Sequence, residues 1–549
     1  MKTNISSIIQ RTLCLVALGV GLLDSPTAKA ADVNVGGEIT GNVTWYSTNL
    51  YTITNTIYVL TNSTLTIQPG TVVWVVPGDE SDTNNIIFTA LFVCQGGKLY
   101  AEGTRTRPII FTAQYDDVND PNDYTISDTA LWGGIVLLGR SVLNTASSAA
   151  GDLATPKYDI YEGLADSTAS NGQRVHRYGG NDDADNSGVM RYVSIRHGGQ
   201  NIKVDKELNG LSLCCVGSNT VIEHVEVIAN DDDGFEFFGG TVNTKYLVSA
   251  FCLDEEFDID QGYRGKSQFW FGIHPKNYSG QFGGEWNGEP NGIAVSNSPL
   301  AKYTIYNMTL VGSGPDQALR IRDYAAPRVY NSVFTEFKTK GITVGNPGSV
   351  FFTNGTIEFK ETLWNTNTGP VDLVASNAIF GVTSLSNVFL NPLLTSISYT
   401  NDFGLDPQPQ TGSPARNSSL TSPNDGFYAP VAYKGAFDGQ YNWAVQWTAL
   451  GEYGVMSPHN GTESVACFAS AAPTPNQVTV HITRVGANAV ITCDSQVGFS
   501  YMLESAGTLP GGWSPAVGVT PSNPQAGTGG TLTFTIPLNG ASYFRVFAQ

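Results

Sequence analysis

Residues 229–260 read ANDDDGFEFFGGTVNTKYLVSAFCLDEEFDID and set nine carboxylates against one base, Lys245. Laid on itself at a shift of 22, the stretch and its approach place Val225 on Leu247, Asp232 on Asp254, Asp233 on Glu255, Phe235 on Phe257, Glu236 on Asp258 and Gly240 on Gly262. The two carboxylate clusters are therefore one motif used twice. The same turn-then-strand unit recurs as NGLSL at 209, DGFEF at 233, EEFDI at 255, NGIAV at 291, QALRI at 317 and KGITV at 340, at spacings of 24, 22, 36, 26 and 23. A second track runs beside it: YNMTL at 306 returns as YNSVF at 330, and Val225, Leu247 and Phe269 lie 22 apart.

Short alternating strands repeated every 20–50 residues describe a solenoid whose coils bury their apolar faces on one another. The spacing predicts an all-β chain, a right-handed parallel β-helix. A leucine-rich repeat needs Leu at fixed positions and a propeller about 40 residues per blade, and neither pattern is present. Alternation turns Phe235, Phe237, Phe257 and Ile259 inward and Glu236 and Asp258 outward, with Val225, Leu247 and Phe269 stacked in a core column. Gly and Asn supply left-handed turn conformations, and Asn307 and Asn331 at equivalent positions predict a stacked amide ladder. Residues 114–130, 144–187 and 274–290 break the rhythm as long polar loops, which on a regular solenoid often crowd the functional face.

The ends differ from the middle. Lys2 and Arg11, the run LCLVALGVGLL and then AKA before ADVN have the order of a secretory signal peptide over residues 1–30. No later apolar run approaches 18 residues, so no transmembrane helix is expected. The anticipated organisation is a β-helix over 31–467, a linker at 468–477 (FASAAPTPNQ), and a small β-sandwich over 478–549 built from strands such as VTVHITRV, AVITCD and TLTFTIPL. The expected location is extracellular or at the cell surface. The formal net charge is −19, or −21 once Lys2, Arg11, Lys29 and Asp24 of the leader are set aside, which argues against nucleic acid or anionic lipid as partner. Beyond Cys14 there are six irregularly spaced cysteines and no CxxC pair, so neither a disulfide framework nor zinc is expected; Cys467 with Cys493 is the most plausible bridge.

Coils stacked about 4.8 Å apart make Glu236 and Asp258, Asp232 and Asp254, and Asp233 and Glu255 like-charged neighbours. Each such pair costs roughly 1–4 kcal/mol unless something offsets it. Ca²⁺, which takes six to eight carboxylate and carbonyl oxygens, is the expected cation, with Asp232, Asp233, Glu236, Asp254, Glu255 and Asp258 as ligands. Arg264 or Lys266 could neutralise the acids instead, or serve as the base of a polysaccharide lyase. A solvated acidic face is the bland alternative. Arg320 and Arg322 are candidates for that lyase base as well, though Arg320 reads as a structural ion pair, and His197 reads as a turn or surface residue rather than a base. Trp270, between Phe269 and Phe271 in FWF, is expected to face outward, and Trp286 lies in the adjoining long loop. Exposed rings of this kind form platforms for sugars. With no GxSxG, HExxH or phosphate loop present, the reading favours a binding protein for glycans or other cell-surface polymers, using Trp270, Trp286, Arg264 and Lys266. The alternative is a calcium-dependent polysaccharide lyase or glycoside hydrolase working along the β-helix face.

Seven segments in order, LTIQPGTVV, ALFVCQGGKLYAEGTRTRPIIFTA, LWGGIVLLGR, DNSGVMRYVSIRHGG, DDGFEFFGGTVNTKYLV, FDIDQGYRGKSQFWFG and YKGAFDGQYNWAVQWTAL, span roughly residues 55–452. In them the chain resembles a family of bacterial exported parallel β-helix proteins of unestablished activity. The ending SYFRVFAQ, preceded by YMLES, resembles the immunoglobulin-like modules that close many secreted proteins of Verrucomicrobia. The resemblance implies fold and export, and it carries over no catalytic residue.

Overall fold

The computed structural model describes residues 31–457 and 480–548, apart from the internal stretches 82–85, 204–205, 278–281, 290–298, 315, 346–347, 367–372, 496–499, 507–513, 522–523, 527–530 and 538–542. The leader at 1–30, the linker at 468–477, Cys467 and the rung expected at 291–295 lie outside the described residues. The chain divides into two compact units, Met1–Gly461 and Thr462–Gln549.

The first unit is a parallel β-helix in which 26 strands join one continuous ladder. Three sheets make up its walls. The first begins at Asn42–Trp45, Thr64–Ile67 and Lys98–Glu102. The strands Gly188–Arg196, Val221–Ile228, Asn243–Ala250 and Lys266–Ile273 then bend mid-length and serve the first and second sheets in turn. The third sheet stacks Leu91–Val93, Ile135–Leu138, Leu211–Cys214, Phe235–Phe238, Phe257–Asp260, Phe282–Asn287, Gln317–Arg322 and Ile342–Val344. Its register pairs Phe235 with Phe257, Glu236 with Asp258 and Phe237 with Ile259, so the expected inward and outward alternation holds. Phe235, Phe237, Phe257, Ile259, Val225 and Leu247 are all in the core.

The bend between the first and second sheets is a left-handed residue in each of these four strands: Tyr192, His224, Tyr246 and Phe269 have φ of 49°, 55°, 55° and 61°. Bulky side chains adopt that conformation at a cost of roughly 1–2 kcal/mol each. Here the four rings stack outside the core at centroid separations of 4.3, 4.3 and 4.8 Å. Asn307 and Asn331 take the same corner in later coils, at φ 57° and 51°. Their amides do not form a ladder; Asn307 donates to the Tyr433 carbonyl and Asn331 to that of Leu420, both at 2.8 Å.

Phe269 at this corner corrects the expected core column. The coil from Leu247 is one residue longer than its predecessor, so Leu247 pairs with Trp270 rather than Phe269. A one-residue shift exchanges the faces of a strand. Trp270 is thus the inward residue, fully buried against Phe257 at 4.5 Å and Phe237 at 5.4 Å. Phe269 and Phe271 point outward and are covered. The cover is a strap over residues 394–456 that returns along the second sheet and lays Trp443, Trp447 and Tyr453 on Ile228, Val248, Ala250 and Phe271.

Trp286 is corrected as well. It belongs to the third-sheet strand Phe282–Asn287, pairs with Ile259, and is fully buried with its Nε1 donating to the Phe257 carbonyl at 3.2 Å. Neither tryptophan offers a platform to a ligand. Of the other two long loops, 144–187 lies over the earlier rungs of the third sheet, where Tyr161 and Tyr178 pack on Phe92, Val136, Cys214 and Phe238.

The second unit contains two small antiparallel sheets. Val480–Val485, Asn488–Asp494 and Thr531–Pro537 form one; Ser500–Ala506 pairs Ser514–Pro515, Gln525–Ala526 and Tyr543–Ala548 in the other. Ile491, Leu503 and Phe534 share one core, giving the small β-sandwich expected from the alternating strands.

Candidate functional site on the third sheet

The loop over the third sheet reaches the outward stripe at Ser212, whose Oγ is 2.7 Å from Tyr161 Oη. From there an outward stripe of side chains continues along the sheet. Ser212 is opposite Glu236, and Glu236 opposite Asp258. The pairing of Ile259 with Trp286 carries the stripe to Glu285, which faces Arg320 and then Thr343. Turns preceding the strands add Asp232 and Asp233 in one coil and Asp254 and Glu255 in the next. Gly234 makes this turn possible, because a Cβ there would come within 1.9 Å of Ser249 Oγ.

Two groups of carboxylates converge. Asp232, Asp233 and Asp254 each offer an oxygen within 4.8 Å of the others, and so do Asp233, Glu255 and Asp258. Asp233 belongs to both, so the groups form one site spanning two coils. Backbone and amide donors orient it: Glu255 N donates to Asp233 Oδ1 at 2.9 Å, Phe282 N to Glu255 Oε1 at 3.3 Å, and Asn209 Nδ2 to Glu236 Oε2. Asp233 and Glu255 are each 5% exposed and Glu236 8%.

Burial is the main force on these acids, and mutual repulsion adds to it. Asp233, Glu236, Glu255 and Asp258 are pushed well above the ordinary carboxylate range by desolvation, then by one another and by Asp232, Asp254, Asp260, Glu162 and Glu285. Asp254 is raised by burial too, and Asp260 is pushed to about 7. Such groups either hold protons near neutrality or surrender them to a cation.

The basic residues expected to neutralise them are engaged elsewhere, which corrects that alternative. Arg264, at the corner leading to the first sheet, binds Asp183 at 2.8 Å and pulls that carboxyl far down. Lys266 lies on the first sheet opposite Thr304 and binds Asp425 at 2.5 Å. Arg320 is a structural pair as expected, on Glu285, and Arg322 shares that carboxylate and also reaches Asn287 Oδ1 at 2.7 Å. His197 occupies a left-handed turn but is buried, with Nδ1 2.6 Å from the Asp128 carbonyl and Nε2 2.7 Å from Tyr453 Oη.

The sequence reading missed Asn209, Asp260, Glu285, and the Glu162–Lys206 pair at 2.9 Å that borders Glu236. Asp260 was legible as the next outward position of the quoted motif. Glu285 depended on finding its strand, and Glu162 reaches the site from a loop with no periodicity.

The sequence profile of the pectate-lyase-like β-helix domain family matches residues 37–378. This chain belongs to that family. The match covers the coils that build the acidic stripe of this pectate-lyase-like β-helix. Comparison with curated proteins gives no match. Among solved structures, the enzymatically active domain of tailspike protein 2 from bacteriophage CBA120 is 10% identical, with 91% of this chain and 68% of that chain covered and a TM-score of 0.18. That likeness is too slight to bear on fold or function. Among the described residues, no helix is long and apolar enough to cross a membrane.

Proposed function

We propose that this protein is exported and binds a polysaccharide along the outer face of the third sheet, with Ca²⁺ held between the coils by Asp232, Asp233, Asp254 and Glu255 and supported by Glu236 and Asp258. The observation that carries the reading is the convergence of two carboxylate triplets, sharing Asp233, on the outward side of consecutive coils. The residues suit the ion: hard oxygen donors, several of them, drawn from carboxylates beside turn carbonyls. Bound there, Ca²⁺ would offset the repulsion and offer open positions to sugar hydroxyl or carboxylate oxygens. The family's pectate-lyase-like description supports a polysaccharide as partner. Export rests on the leader-like residues 1–30.

Cleavage is the second reading, favoured by Arg320 standing on the same stripe one coil beyond Glu285. Binding is preferred because Glu285 holds both Arg320 and Arg322. A panel of polysaccharides, scored for retention and for new unsaturated or reducing ends with and without calcium, separates the two. Calcium-dependent retention without new ends supports binding. New ends lost in Arg320→Ala support a lyase, and neither retention nor new ends would overturn both.

A further inference from the structure

On the opposite side of the β-helix, the strap over the second sheet is fastened by a buried charge cluster that has no part in the acidic stripe. Arg196 is 2% exposed and its Nη1 lies 2.7 Å from Glu452 Oε2 and 4.0 Å from Asp116 Oδ2. Its guanidinium also stands 5.6 Å over the Tyr453 ring. Glu226, fully buried, accepts from Ser194 Oγ at 2.6 Å and from the strap's Ala449 N at 2.8 Å. Three carboxylates thus surround one cation. One oxygen of each, Asp116 Oδ1, Glu226 Oε1 and Glu452 Oε1, has no hydrogen-bond partner among the described residues. Fully ionised, the cluster would bury two uncompensated negative charges, which proteins avoid by retaining protons.

We propose that this cluster is a proton-dependent clasp: at least one carboxyl proton held among Asp116, Glu226 and Glu452 keeps residues 443–456 closed on the second sheet, and its loss loosens them. The four elements that meet there bring every charged group in reach. The segment after the strand Ile109–Ala113 contributes Asp116, with Asp117 and Asp123 repelling it, Tyr124 beside it, and Asp128 acting on Tyr124 and His197. Gly188–Arg196 and its following turn give Arg196 and His197, Val221–Ile228 gives Glu226, and the strap gives Glu452 and Tyr453. Burial raises all three acids against the pull of Arg196, Glu452 to about 7. Burial also lowers His197 to about 4. A neutral His197 donates from Nδ1 to the Asp128 carbonyl and accepts at Nε2 from Tyr453 Oη.

The sign follows from which state holds the proton. The closed strap binds it more tightly than the open one, so closure is strongest below the ordinary carboxyl range and weakens up to tenfold per pH unit until the raised value in the closed state, about 7 for Glu452, is passed. Opening would uncover Ile228, Val248, Ala250, Phe271 and Ile273.

Hydrogen exchange on the full chain, corrected for intrinsic rates, reads this directly. Between pH 5.5 and 8, amide protection over 443–456 is expected to fall at least tenfold while Thr64–Ile67 of the first sheet holds. In Asp116→Asn/Glu226→Gln, where one carboxyl faces one guanidinium, the fall is expected to shrink below threefold. Should that variant fail to fold by circular dichroism, Asp116→Asn alone is expected to cut the fall at least threefold. Protection independent of pH, an equal fall in the variant, or a parallel loss at Thr64–Ile67 would overturn the clasp.

Discussion

Glu236 and Asp258 stand directly opposite each other on successive coils of the third sheet, in register and on the same outward face. Nothing in strand pairing favours two carboxylates there, and like charges directly opposite weaken a sheet. The pair is the clearest sign that the site has a use beyond holding the fold together.

Removing one charge should therefore stabilise the bare protein. Glu236→Gln keeps an acceptor for Asn209 Nδ2 and removes repulsion worth about 1 kcal/mol at pH 8. Urea denaturation in chelator is expected to show the variant at least as stable as the wild type. A loss above about 2 kcal/mol would mean that Glu236 is ionised and satisfied in place.

Stability should decline from about pH 6.5 to pH 8. Glu256 and Asp260 titrate at about 7 in the folded state, from ordinary values of 4.5 and 3.8, because burial resists their ionisation. The folded state thus binds more protons, and each group forfeits up to ~1.4 kcal/mol per pH unit between its ordinary value and about 7. His197 and His224 pull the other way: burial holds them at about 4 and about 3, so unfolding lets them charge and stability falls as pH drops from about 6.5 toward those values. Melting temperatures across pH 3–9 in chelator would show the resulting optimum, and a curve rising toward pH 8 would contradict it.

Trp270→Ala should be as damaging as Phe257→Ala, each by about 3–5 kcal/mol, because the two rings share one core contact. Chemical denaturation distinguishes this from an exposed Trp270, which would cost under about 1 kcal/mol.

Residues 478–549 should fold alone, since their two antiparallel sheets enclose their own core. Expressed separately, the fragment is expected to unfold cooperatively, and limited proteolysis of the whole chain to cut within 468–477. Resistance there with joint unfolding would move the boundary.

The period of 22 was enough to reveal coils, their stacking and the outward stripe, because Phe235 and Phe257 repeat with their charged neighbours intact. It failed where a coil changed length. One added residue before Trp270 turned FWF over, and a strand of glycines and a tryptophan, FGGEWN at 282–287, reads as loop because it alternates poorly. Arg264 and Lys266 are near the acids in sequence yet leave the third sheet at a corner, a separation that only the turn at Gly262, φ 83°, determines. The strap was quoted as YKGAFDGQYNWAVQWTAL without a role, since its tryptophans are explained by a surface more than 170 residues earlier in the chain.

Calcium titration calorimetry on the full chain at pH 7.5, repeated with Asp254→Asn, tests the central claim most directly. The account expects uptake of calcium with release of protons from the raised carboxyls, a higher melting temperature, about 2.7 kcal/mol of stabilisation at a hundredfold excess over Kd, and a weakened response in the variant. No heat of binding, with melting indifferent to chelator, would contradict it and leave the acidic stripe a set of buried, protonated carboxyls.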